Sequence, residues 1–281
     1  MQFLLLAILC SSSVSIAMRL GTDKVKNNYG MLSMNYLACM LLGVFNSGFG
    51  KLLPMGESGF AACLGLGLLQ GFIYLVAFVL MQRNIQRSGV VLASVFMKLG
   101  LLVPMLLSVL CFGEVPGAVQ ILGFALAVIA IIMINLNGGD SRDGRRAGLG
   151  LVLLLLAGGS ADSMSKVYEE LGSAALKDQF LLYTFLFALV LCLVLTKAKG
   201  QRIGRNELIY GFLVGVPNYY SSHFILRALE RLEAVIVYPS FSVGTLLAVT
   251  LAGVLFFRER LRRLQWVAVA LILVALVLLN I

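Results

Sequence analysis

Residues 110–135 read LCFGEVPGAVQILGFALAVIAIIMIN, and residues 255–280 read LFFRERLRRLQWVAVALILVALVLLN. Laid one on the other, they align Leu110 with Leu255, Phe112 with Phe257, Glu114 with Glu259, Gln120 with Gln265, Leu126 with Leu271 and Asn135 with Asn280. Each stretch is the end of one apolar run, a short loop carrying a glutamate, and a second apolar run long enough to cross a bilayer. The pair marks a duplicated unit, and it sets what the two halves of the chain are to each other.

Composition says where such a chain can live. Of 281 residues 60% are hydrophobic and 12% charged, about half the charged share of soluble globular domains, and the mean hydropathy is +0.98. The chain reads as a polytopic membrane protein with the lipid bilayer as its solvent and no room for a soluble domain. Residues 1–18, MQFLLLAILCSSSVSIAM, have no basic stretch ahead of the apolar run, and Leu9 is too large for the position before a cleaved residue. The first run is therefore expected to be a span, not a removed signal. The net charge of +9 does not argue for nucleic acid, because Lys and Arg are spread over short loops instead of one face. Cys10, Cys39, Cys63, Cys111 and Cys192 stand singly in apolar runs and read as packed thiols. With His223 as the single histidine, no histidine-based metal cluster can form, and no metal or cofactor is expected.

Ten apolar runs can be placed, near residues 2–20, 30–50, 58–81, 89–111, 116–136, 147–166, 178–196, 207–229, 234–257 and 264–280. The gaps between them carry the turn residues. The longest gap that is both charged and glycine-rich, within residues 137–146, separates a first unit of five spans (1–136) from a second (147–281). Five is odd, so the second copy enters the membrane upside down. The expected fold is an all-α integral membrane protein of ten transmembrane helices arranged as two inverted five-helix repeats.

Loop charge supports the inversion, since Lys and Arg accumulate on the cytoplasmic side. The loop around Glu114 has no basic residue, whereas its counterpart around Glu259 has Arg258, Arg260, Arg262 and Arg263. The second loop of the first half has only Lys51; the matching loop of the second half has Lys197, Lys199, Arg202 and Arg205. The odd-numbered loops hold most of the basic residues, which places them in the cytoplasm and both termini outside a cell membrane.

An apolar run, Phe-x-Glu, and a last span opened by Gln120-Ile-Leu-Gly123 or Gln265-Trp-Val-Ala268 recur in both halves. The pattern resembles the drug/metabolite transporter superfamily, in particular its ten-span EamA-type members, over the whole chain. Phe112-Gly113-Glu114 and Phe257-Arg258-Glu259-Arg260-Leu261 are its most specific pieces. The resemblance implies that spans one to four and six to nine surround a central cavity while spans five and ten lie at the periphery. Many members are thought to keep both termini in the cytoplasm, and the loop charges of this chain depart from that.

Polar side chains inside spans are costly and usually face the bundle interior or a wet cavity. Lys98 lies roughly 14 Å into the fourth span at 1.5 Å per residue, too deep to snorkel out, with Pro104 beyond it able to kink the helix. It suits a carboxylate or phosphate of a solute, or else a fixed ion pair with Asp162. Asp162 sits in the sixth span behind Gly158-Gly159, with Lys166 one turn on. The serines around it and in the first span read as packing residues.

The eighth span carries Pro217-Asn218-Tyr219-Tyr220-Ser221-Ser222-His223. Asn218 and Ser222 share one helical face, Tyr219 and His223 the adjacent one. His223 is a candidate for moving a coupling proton, or a hydrogen-bonded structural residue. Tyr238 and Pro239 in span nine, Gln70 and Tyr74 in span three and Asn35 in span two complete the set; the deeper tyrosines suit an amphipathic solute or an ammonium group. Glu114 and Glu259 read as ties between span ends.

These residues point to a secondary transporter of a small polar or amphipathic metabolite, amino-acid-like by preference, working by alternating access and driven by a proton, an ion or the solute's own gradient. An enzyme finds no metal motif, no paired carboxylates and no nucleophile elbow. A non-transporting scaffold or a lipid-flipping accessory protein is the alternative.

Overall fold

The computed structural model describes residues 2–47, 52, 56–101, 103, 117–136, 142–229, 234–258 and 263–279. Among these the chain forms α-helices and short 3-10 turns and no strand. The helices are α1 (Gln2–Gly21), α2 (Asn28–Ser47), α3 (Phe60–Ser88), α4 (Val90–Lys98), α5 (Ala118–Leu136), α6 (Arg142–Leu171), α7 (Lys177–Ala198), α8 (Arg205–Leu229), α9 (Ala234–Leu255) and α10 (Arg263–Leu279). They follow the ten apolar runs in order. By length and apolarity alone, α1, α3 and α7 qualify as membrane spans, with shorter apolar stretches in α6, α9 and α10.

The helices are amphipathic in the sense that suits lipid. On α3 the buried side holds Cys63, Gly67, Gln70, Gly71, Leu75 and Phe78. The exposed side holds Leu64, Leu68, Leu69 and Phe72. Leu5 and Leu9 of α1, Val190 and Val194 of α7 and Leu251 of α9 are likewise exposed. Water would not tolerate a contiguous apolar exterior of this extent; hydrocarbon does. The glutamine, meanwhile, is inside, where it finds a backbone carbonyl.

Two element boundaries depart from the expected spans. α3 runs on to Ser88, through what reads in sequence as a loop, because Gln82 and Asn84 find partners inside: Gln82 Nε2 donates to Asn28 Oδ1 at 3.1 Å and Asn84 Nδ2 to the carbonyls of Leu80 at 2.8 Å and Gly150 at 3.0 Å. It stops at Gly89, whose φ of 86° and ψ of 165° are open only to glycine. Within the expected fourth span the α-helix tightens after Lys98 into a 3-10 turn, Leu99–Leu101, and Val103 is α-helical again. Here Gly100 lies against the backbone of Gly158 and Gly159 of α6, so close that a Cβ on Gly100 would fall 2.6 Å from the Gly159 nitrogen. The glutamates of the duplicated loops, Glu114 and Glu259, and Pro104 lie outside the described residues.

Packing runs mainly across the chain's midpoint. α1 lies against α8 and α9, α2 against α7 and α8, α3 against α6 and α7, α4 against α6 and α9, and α5 against α10. Two crossings are made by glycines four apart. On α8, a Cβ at Gly215 would meet the Asn35 carbonyl at 2.5 Å and Ala38 Cβ at 2.7 Å, and one at Gly211 would meet the Met31 carbonyl at 2.6 Å, all on α2. On α3, a Cβ at Gly71 would meet the Thr184 carbonyl at 2.7 Å and Phe187 Cβ at 3.0 Å, and one at Gly67 would meet Tyr183 Cβ at 3.1 Å, all on α7. Small residues let helices in lipid approach to backbone contact, where dispersion replaces the missing hydrophobic drive.

The connections sort by end. At one, Asn206 Nδ2 donates to the Lys24 carbonyl at 2.9 Å, Arg19 lies 5.7 Å from the Phe257 ring, and Arg83 donates to Tyr29 Oη at 3.1 Å. At the other, Tyr183 Oη donates to the Leu52 carbonyl at 2.7 Å, and Gly59 abuts Ser173. The odd-numbered connections after α1, α3, α7 and α9 share the first end; those after α2 and α6 share the second.

Candidate functional site

The crossing of α4 on α6 at Gly100 and Gly158-Gly159 decides where the interior charges fall. Asp162 follows Gly158 by one turn, and Lys98 precedes Gly100 by two residues. The two attract each other electrostatically within the protein interior, yet among the described residues no nitrogen–oxygen contact of 4.0 Å or less joins them. The Lys98 ammonium rests instead on the face of Phe241 of α9, 4.1 Å from the ring centroid, a cation–π contact. Asp162 is surrounded by protein and nevertheless has an exposed side chain. The two side chains do not close into the ion pair considered from sequence. Lys166, the other candidate partner of Asp162, has its side chain outside the described set.

Asp162 is also the electrostatic neighbour of the Tyr74 hydroxyl on α3, near which Ser222 of α8 and Gln70 also lie. Gln70 is 1% exposed; its Nε2 donates to the Ala161 carbonyl at 3.1 Å and its Oε1 has no partner. Gln70, Tyr74, Lys98, Asp162 and Ser222 thus converge, with Phe241, from five helices of both halves.

Asn35 and Asn218 meet one step away, at the α2–α8 crossing. Asn218 Nδ2 donates to Asn35 Oδ1 at 3.2 Å and lies 3.6 Å from Cys39 Sγ, which itself donates to the Gly215 carbonyl at 3.3 Å. Asn35 is fully buried and its Nδ2 has no partner. Cys39, read from sequence as a packed thiol, is a member of this polar network.

An aromatic wall joins the two groups. Tyr36, Tyr74, Phe78 and Phe185 contact one another with ring centroids 5.9–6.4 Å apart. Phe185 continues the wall to Tyr219 at 6.5 Å. Tyr219 stacks on His223 at 6.0 Å and 17°, and the expected shared face of these two is what makes the stack. The Tyr219 hydroxyl has Asn46, near the end of α2, as a polar neighbour, while its ring meets Phe185 and His223. His223 is half-buried and also meets Tyr220 and Phe224 edge-on. The Tyr238 side chain lies outside the described set.

The serines behave as expected of packing residues. Ser12, Ser13, Ser160 and Ser163 each return a hydroxyl to the carbonyl four residues earlier at 2.7–2.8 Å, and Ser94 links α4 to Ser15 of α1 at 3.2 Å. Phe185, Phe241, Tyr36 and Cys39 were invisible from sequence as site residues, because an aromatic or thiol in an apolar run carries no sign of which way it faces. The two G-x-x-x-G pairs were legible signals of the crossings that aim the others. Among the described residues, no group of histidine, cysteine, aspartate and glutamate could hold a metal ion.

The model of the EamA-like transporter family matches residues 1–136 and again residues 148–281. An uncharacterised protein of Haemophilus influenzae is 25% identical over 280 residues, covering 96% of this chain and 94% of its own. A crystal structure of a protein 13% identical in sequence superposes with a TM-score of 0.65 over 99% of this chain and 95% of that one, a likeness of fold.

Proposed function

Because the chain belongs to the EamA-like transporter family, whose members are membrane transporters, we propose that it is a secondary active transporter of a small polar or amphipathic metabolite, amino-acid-like by preference. The solute crosses the cytoplasmic membrane by alternating access. One observation carries the reading: Asp162 and Lys98, from opposite halves of the chain, are electrostatic neighbours that do not close into an ion pair, Lys98 resting on Phe241 instead. Opposite charges left apart in a desolvated interior are costly. A solute with an ammonium and a carboxylate satisfies both, and the ring of Phe241 holds Lys98 in readiness meanwhile. Gln70 Oε1 and Asn35 Nδ2, an acceptor and a donor without partners, are further points for a polar solute.

The two halves act as inverted repeats in this reading. Exchanging α1–α5 with α6–α10 carries α1·α8 onto α3·α6, α2·α8 onto α3·α7, and α1·α9 onto α4·α6, while α2·α7, α4·α9 and α5·α10 map onto themselves. The glycine crossings correspond in the same way, Gly211 and Gly215 of α8 against α2 answering to Gly67 and Gly71 of α3 against α7. Such a pseudo-two-fold supports rocking of one half against the other about a midplane site. All ten helices then cross the membrane, the basic odd-numbered connections lie inside and the termini outside.

A thermal-shift screen of the purified protein over amino acids, organic acids, amines and nucleosides tests the site. Amino acids should stabilise the wild type, Lys98→Met should lose the response to carboxylates, and Asp162→Asn the response to amines. Stabilisation of Lys98→Met equal to wild type would remove the charge-pair assignment.

A further inference from the structure

At the end that gathers the odd-numbered connections, the α1–α2 connection, the last turns of α3 and the α7–α8 connection enclose a cleft of about 150 Å³. Lys26, Arg83 and Lys199 line it with Tyr29, Asn28 and Gln82, and no carboxylate does. Tyr29 arranges two of the cations: Lys199 Nζ sits 4.6 Å from its ring centroid, and Arg83 donates to its hydroxyl at 3.1 Å. Among the described residues none of the three cations has a carboxylate within 4.0 Å. Glu207 of α8, which reaches the α1–α2 connection, is taken up by the backbone N–H groups of Lys26, Asn27 and Gly204. Gln82 is 2% exposed; its Nε2 is donated to Asn28, and its Oε1 has no partner.

Three cations, two of them oriented by Tyr29 and none with a counter-ion among the described residues, beside an unsatisfied carbonyl acceptor, fit a phosphodiester whose substituent bears a hydroxyl or amine. The cleft is smaller than the roughly 300–1,000 Å³ of sites for drug-sized ligands. It accepts a headgroup, not a whole metabolite, and α3, whose last turns line it, carries exposed Leu68, Leu69 and Phe72 farther along its length, a surface along which acyl chains can run. We propose that this cleft binds the headgroup of an anionic phospholipid, a phosphatidylglycerol-like diester. Because its walls come from both halves of the chain, the bound lipid braces them at that end.

The test uses the full chain in neutral-detergent micelles, with phosphatidylglycerol or phosphatidylcholine added and lipid-bound protein counted by native mass spectrometry. Phosphatidylglycerol should be retained in preference. Arg83→Gln and Lys199→Gln should each weaken it about fivefold, the equivalent of about 1 kcal/mol per cation near an anionic lipid. Lys199→Arg should retain it, as should Arg205→Gln, which lies at the same end outside the cleft. Equal retention of the two lipids, or phosphatidylglycerol binding by the Arg83→Gln/Lys199→Gln double variant equal to wild type, overturns the proposal. So does displacement of the lipid by millimolar inorganic phosphate, which would assign the cleft to free phosphate. Lipid counting is independent of solute transport and of which end faces the cytoplasm, so this result and that of the ligand screen can fail separately.

Discussion

Glu207 shows how much a single carboxylate can do. It lies ahead of the apolar run of α8 and ties that helix to the α1–α2 connection, accepting from Lys26 and Asn27 N–H at 3.0 Å and from Gly204 N–H at 2.9 Å. Burial alone would raise its pKa, but the backbone donors of Asn27, Glu207 itself, Lys26 and Gly204 outweigh that and hold it below the ordinary glutamate value. A folded-state pKa below the unfolded one gives stability that is complete above about pH 4.3 and drains away as pH falls through the lower folded value. Glu207→Gln should cost about 1–3 kcal/mol at neutral pH, since its amide cannot accept all three bonds, and should flatten the acid limb of the stability curve. Thermal unfolding in detergent across that range measures both; an unchanged acid limb would refute the assignment. His223 belongs to the same scale. If its imidazole carries the coupling proton, His223→Gln should abolish proton-driven uptake and leave solute binding intact, and proton-linked uptake at the wild-type rate in proteoliposomes would exclude it.

Among the elements, α8 and α3 make the same kind of contact with α2 and α7. Gly215→Ala would drive a methyl group to 2.5 Å from the Asn35 carbonyl, which only backbone movement can relieve, at a cost of about 1–3 kcal/mol. Gly71→Ala, against the Thr184 carbonyl at 2.7 Å, should behave alike. Gly65→Ala on the same α3 meets nothing within 4 Å and should be neutral or stabilising by up to about 1 kcal/mol, the helix propensity difference. Chemical denaturation of the three variants side by side decides it; a Gly215→Ala protein as stable as Gly65→Ala would mean the helices do not touch there. The element order was legible from the apolar runs, because each run is one helix. The ends were not: α3 extends through Gln82 and Asn84 because α2 and α6 supply their partners, and α4 tightens after Lys98 because α6 presents Gly158-Gly159.

For the whole molecule, the basic residues resolve into an end. Arg19 and Arg83 on the last turns of α1 and α3, and Lys24, Lys26, Lys199, Arg202 and Arg258 on connections, meet at one end of the bundle, and positive charge marks the cytoplasmic side. An epitope tag after Ile281 should therefore be reached by a non-permeant probe on intact cells, and cysteine introduced at Arg202 should be labelled only after permeabilisation. The reverse pattern would invert the assigned orientation.

The sequence by itself determined the membrane class, the helix order, the family and the short roll of polar residues that must face inward, because apolar composition and a repeated motif are local properties of the chain. It named Lys98, Asp162, Asn218 and His223 but could not group them. The tertiary structure decided that Lys98 leans on Phe241 instead of closing on Asp162, that Cys39 joins Asn35 and Asn218, and that the Tyr219 ring stacks on His223. It also drew Lys26, Arg83 and Lys199, from the α1–α2 connection, the last turns of α3 and the α7–α8 connection, into one cleft. Each of these depends on where helices cross, and the crossings are set by glycine contacts between segments more than 50 residues apart in the chain, a relation that no periodicity within one segment encodes.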